Sequence, residues 1–180
     1  MFDIYQFVSG PLAWFAFIVF IGGCLYRLVS LLVLVHRKEP FIYSYMSWKY
    51  SLRSILRWST PFATENMRRH PGMTIVTFAF HICLLITPLF LLAHIILIEE
   101  AWNLSWWSLP DGLADAMTLI VITGCIFFLV RRLTNPEVQY VTSASDFVLL
   151  AIIAAPFVTG FLAYYQWFGY KFFVIIHILA

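Results

Sequence analysis

Residues 80–94 read FHICLLITPLFLLAH, fifteen positions with no Lys, Arg, Asp or Glu, histidines second and last and a proline between them. Extended outward, the apolar run covers about 73–98, longer than the roughly 20 residues a helix needs to cross a hydrocarbon core. Ionisable side chains inside such a segment are costly and tend to serve a function. His81 and His94 are thirteen residues apart, about 20 Å along an ideal helix, so one metal ion cannot take both. On a straight helix their side chains would also diverge by about 140°, although Pro88 can kink the helix and change its twist.

Similar runs appear near 11–35, 112–130 and 146–165, and a further one begins near Lys171 and reaches Ala180. Its ten residues would make about 15 Å of helix, half a bilayer, and the expectation is that the sequence is a fragment. Hydrophobic residues make up 62% of the 180 and charged residues 11%, which excludes an ordinary water-soluble surface. The predicted class is therefore all-α: an integral membrane bundle of about five transmembrane helices, the fifth truncated at Ala180.

Arg37, Lys38, Lys49, Arg53, Arg57, Arg68 and Arg69 fall between the first two spans, and Arg131 and Arg132 follow the third. The loop at 99–111 has Glu99, Glu100 and Asp111 without a Lys or Arg. Cytoplasmic loops carry the basic excess, so the N-terminus and the loops at 99–111 and 166–170 are expected outside. Met1–Ser9 lacks a basic n-region and a small-residue cleavage site, so a retained first span is expected. Near 44–58, Tyr45, Trp48, Leu52, Ile55 and Leu56 oppose Lys49, Arg53 and Arg57, the pattern of a basic amphipathic helix in the headgroup region. Trp102, Trp106 and Trp107 suit an interfacial aromatic belt.

Cys24, Cys83 and Cys125 form no Cys-x-x-Cys pair, which argues against zinc or a Cys-ligated iron–sulfur cluster in this chain. No phosphate loop, Ser-His-Asp set or nucleic-acid surface is legible. Three of five histidines lie in apolar spans: His81, His94 and His177. With five crossings, span five runs antiparallel to span two, which puts His177 and His94 at similar outer levels. Two axial imidazoles would then suit a haem b that carries electrons, and His81 would need a partner deeper in span five. His70 is a weaker alternative ligand, eleven residues before His81. Arg27 is expected either to pair with a haem propionate or to snorkel to the interface. The competing reading is a non-redox scaffold or proton path built on the same histidines.

FVSGPLAW at 7–14, TPFATEN at 60–66, FHICLLITPLFLLAH at 80–94, LPDGLAD at 109–115, RRLTNPEV at 131–138 and APFVTGFLA at 155–163 together resemble the cytochrome b family that includes the gamma subunit of respiratory nitrate reductase. The likeness is nearest to the membrane cytochrome b subunits of the Tmc and Hmc redox complexes of sulfate-reducing bacteria. The resemblance implies five transmembrane helices in the bacterial inner membrane, N-terminus periplasmic, and two b haems. The outer one would use His94 and His177, and the inner one His81 with a histidine further along helix five than Ala180. It also implies other membrane subunits, a periplasmic multihaem cytochrome c and a cytoplasmic iron–sulfur protein similar to heterodisulfide reductase, with electrons passing between them or to or from menaquinone in sulfate respiration. A quinone site near the outer haem would need a proton-exchanging acid, and Glu99, Glu100 and Asp115 are the candidates. The chain would itself turn over a substrate only as the quinone-reactive subunit.

Overall fold

The computed structural model describes residues 2–167 and 170–180, and among them every regular element is helical. They fall into two compact units, 1–69 and 70–180.

In the first unit, α1 (Phe2–Phe7) passes through a π-turn (Val8–Leu12) into α2 (Ala13–Lys38). The π-turn contains Pro11, which has no N–H to give to the helical ladder. No residue of α2 is buried, and Ile18 and Phe20 are each about two-thirds exposed. So large an apolar surface makes sense only against lipid or another protein. The short α3 (Ile42–Tyr45) is separated from α4 (Trp48–Ser59) by extended backbone at Met46 and Ser47. The basic amphipathic helix therefore starts at Trp48 instead of near 44, and Tyr45 is outside it. Exposed Trp48, Leu52, Ile55 and Leu56 make its apolar side. The unit ends in α5 (Glu65–Arg69), which carries an i,i+4 ion pair between Arg69 and Glu65.

The second unit packs α6 (Pro71–Phe90) on α8 (Asp111–Thr134), α8 on α10 (Ala144–Tyr164), and α10 on α11 (Tyr170–Leu179). Its core is Phe80 and Cys83 from α6, Leu109, and Ala114, Met117, Val121 and Cys125 from α8. Gly124 sets the approach of the two helices: a Cβ there would lie 2.7 Å from Cδ2 of Phe80, and small residues let membrane helices close in this way. The connection from α8 to α10 runs through α9 (Pro136–Tyr140), capped by Asn135, and a Ser143/Asp146 capping box starts α10.

Among the described residues, four helical segments are long and apolar enough to cross a membrane, at Gly10–Lys38, Pro71–Phe90, Asp111–Thr134 and Ala144–Tyr164. With every described element helical and apolar side chains facing outward, this is the construction of a multi-pass membrane bundle, since only internally bonded backbone is stable in hydrocarbon. Of the loop expected at 166–170, residues 168 and 169 lie outside the described residues.

Span two differs from the continuous helix read from hydropathy. It stops at Phe90, Leu91 adopts an extended conformation (φ −75°, ψ 128°), and α7 (Leu92–Trp102) begins afresh. The straight-helix divergence of about 140° between His81 and His94 therefore does not apply, because the break falls between them.

Candidate functional site

A helix that stops inside an apolar region must find donors for the carbonyls of its last turn. Here each comes from further along the chain. Pro88 O accepts from Nδ1 of His94 at 2.8 Å, Leu89 O from the Trp106 indole at 2.8 Å, and Phe90 O from the Leu109 backbone N–H at 2.9 Å. Leu91 O takes the N–H groups of His94 and Ile95, which start α7. Trp106 is thus a structural clasp on the break as well as an interfacial ring, and Trp107 packs on Phe90 with ring centres 4.4 Å apart.

The first of these bonds fixes the His94 ring. A carbonyl can only accept, so Nδ1 carries the proton and Nε2 is left with its lone pair. The opposite side is built similarly. Thr159 donates its hydroxyl to Ala155 O at 2.7 Å, so its oxygen is free to accept from Nδ1 of His177 at 3.3 Å, with the Pro156 carbonyl also beside the ring. Gly160 leaves room for the imidazole: a Cβ there would lie 2.9 Å from Cε1 and 3.1 Å from Nδ1 of His177.

The structure brings these two rings together. Their centres are 5.9 Å apart and their planes differ by 7°. Both line a cavity of about 260 Å³ with Thr87, Pro88, Leu91, Thr118, Pro156, Phe157, Gly160 and Phe161. Two imidazoles bound to opposite sides of one iron, with bonds of about 2 Å and each ring centre about 1 Å behind its nitrogen, have centres about 6 Å apart. The spacing, the near-parallel planes, the two bonded Nδ1 atoms and the Gly160 cradle all fit bis-imidazole ligation. Among the described residues no group of three or more His, Cys, Asp and Glu side chains is placed to hold a metal ion.

His81 lies on an exposed face of α6, with its Nδ1 on Thr77 O at 2.7 Å and its ring edge-on to Phe80. Its Nε2 is left available in the same manner, away from the His94–His177 pair. His70 precedes α6, with its side chain exposed. Arg27 is exposed in the first unit, in a shallow groove with Gly23 and Cys24. None of the candidate acids lines the histidine cavity. Asp115 accepts from the Tyr165 hydroxyl at 2.6 Å, Glu99 accepts from Ser105 at 3.1 Å, and Glu100 is exposed. The Tyr165 phenol is pushed above its usual range, chiefly by the bond to the Asp115 carboxylate.

The features not anticipated from sequence are Gly160, the Pro88 carbonyl and Thr87. A glycine within an apolar span was a usable signal for close packing. The other two depend on where the helix breaks.

A protein of Nitratidesulfovibrio vulgaris (strain Hildenborough) is 36% identical over 181 residues, covering 98% of this chain and 80% of that protein. No solved structure matches. The model for the nitrate reductase gamma subunit matches residues 6–175. Members of that family are membrane electron-transfer subunits that bind haem b, and the chain belongs to the nitrate reductase gamma subunit family.

Proposed function

We propose that this chain is the haem b subunit of a membrane redox complex and that His94 and His177 are the axial ligands of one haem. The observation that carries this reading is the juxtaposed, near-parallel pair of imidazoles, 5.9 Å between centres and 7° between planes, with both Nδ1 atoms held. Haem bound through both axial positions supplies one-electron exchange instead of oxygen chemistry.

The protein's own contribution is positional. Pro88 O and Thr159 fix the tautomer and orientation of each ring and raise its basicity. Leu91, Phe157 and Phe161 make the cavity apolar and limit water, which favours the less charged state of a bound metal. His81, with Nδ1 bonded to Thr77 O, is assigned to a second, inner haem.

The proposed setting is the inner membrane of a sulfate-respiring bacterium, with the N-terminus and the Glu99–Asp111 loop periplasmic. A multihaem cytochrome c is the proposed partner on that side. An iron–sulfur protein similar to heterodisulfide reductase is the proposed partner on the other, where Lys49, Arg53 and Arg57 of α4 also suit anionic lipid headgroups. Menaquinone is the proposed mobile carrier, with Glu99, Glu100 or Asp115 exchanging its protons. Of these, Asp115 has a phenol already in contact, a ready path for a proton.

The test is the dithionite-reduced minus oxidised spectrum of the purified native subunit. A sharp alpha band of low-spin haem b is expected; a flat difference spectrum would favour a scaffold or proton path without haem.

A further inference from the structure

Several threonines in and beside these helices dispose of their hydroxyl protons in one way. Thr74, Thr118, Thr123, Thr134, Thr142 and Thr159 each donate to the carbonyl four residues earlier. Thr87 does not. It is 3% exposed, and among the described residues its Oγ1 is the one buried side-chain polar atom without a hydrogen-bond partner. A buried hydroxyl left without a partner costs about 1–3 kcal/mol, so an exception of this kind calls for a cause.

A local acceptor was to hand. Pro88 has no N–H to give to Leu84 O, which is three residues before Thr87 and within the usual range of threonine back-bonding. Instead Thr87 lines the cavity shared by His94 and His177. That cavity is poor in donors. Its lining contains no Lys, Arg, Asp or Glu, the Thr118 hydroxyl proton is committed to Ala114 O, and the Nδ1 protons of the two histidines are committed to Pro88 O and Thr159. Among the side chains that line this cavity, Thr87 has the one uncommitted hydroxyl.

A porphyrin with its ring nitrogens on iron has few acceptors left to offer: methyl and vinyl groups are apolar, and the propionate carboxylates are the groups that accept. A carboxylate near hydrocarbon needs donors to remain ionised. We propose that the Thr87 hydroxyl donates a hydrogen bond to a propionate of the haem held by His94 and His177, positioning the macrocycle and raising its midpoint potential. The inference rests on the haem reading above. Its sign follows from charge: an ionised propionate favours ferric iron, and a donor that draws off part of that charge makes reduction easier.

The experiment compares the native subunit with Thr87→Val, which keeps the shape and removes the donor, and with Thr87→Ser, which restores it. Potentiometric titration of the haem band should show a lower midpoint in Thr87→Val. A tenfold change in relative affinity for the two oxidation states corresponds to about 59 mV for one electron and is the upper range expected. The propionate bending band in resonance Raman should move in Thr87→Val and return in Thr87→Ser. Thr87→Ala repeats the comparison should Thr87→Val not accumulate. Full haem content with unchanged potential and unchanged propionate band in the variant lacking the hydroxyl overturns this inference alone. Absence of haem from the wild-type subunit overturns the haem reading and this inference with it.

Discussion

Gly160 and His177 meet so closely that a single methyl on the glycine would stand 2.9 Å from Cε1 of the imidazole. Real Cβ contacts do not come so near, and the ring has little freedom to retreat, because Thr159 and the Pro156 carbonyl hold it. Gly160→Ala should therefore displace the ring by a few tenths of an ångström or more. The expected outcome is a loss of haem per subunit and a broadened alpha band, with helix content unchanged. Pyridine haemochrome assay and circular dichroism on the same samples would check this.

Trp106 holds the break in span two from 17 residues away by donating to Leu89 O. Trp106→Phe keeps an aromatic side chain and removes the donor, so the Leu89 carbonyl loses a hydrogen bond of the kind that contributes about 0.5–1.5 kcal/mol. A lowered melting temperature is expected, along with faster hydrogen exchange at the start of α7.

Gly124 tests the packing of α6 on α8. Adding a methyl 2.7 Å from the Phe80 ring forces a shift in a filled core, which typically costs about 1–3 kcal/mol. Gly124→Ala should lower the midpoint of thermal unfolding, and Phe80→Leu in the same chain should recover part of the loss.

The Tyr165–Asp115 bond predicts a pH dependence. The phenol's acid strength is reduced in the folded state by the carboxylate it donates to. A group whose folded value is raised contributes its stability in full below the unfolded value and loses it as pH rises through the folded one. For tyrosine that loss begins above about pH 10. Melting temperature measured across that range should decline more shallowly in Tyr165→Phe than in the wild type.

Much of this was legible in the sequence, for particular reasons. Hydropathy marks the four long spans because lipid imposes length and apolarity on each helix separately. The histidines announce themselves because an ionisable group in hydrocarbon is conspicuous. The break at Leu91 was not legible, although Pro88 hinted at it. A proline removes one N–H, but where the helix then stops depends on which donors can reach the freed carbonyls. Those are His94, Trp106 and Leu109, the last two from a loop whose path no local pattern encodes. The pairing of Asp115 with Tyr165, fifty residues later, is hidden for the same reason, as is the free hydroxyl of Thr87. The start of α4 at Trp48 shows the converse: the hydrophobic period runs on through Tyr45, yet Met46 and Ser47 are extended.

The central claim is that His94 and His177 grip the same iron, and the most direct measurement is haem content and redox titration of His94→Ala, His177→Ala and His81→Ala in the native subunit. The first two should lose one and the same haem component, identified by midpoint potential, while His81→Ala keeps it. Retention of that component at unchanged potential in either His94→Ala or His177→Ala would contradict the assignment.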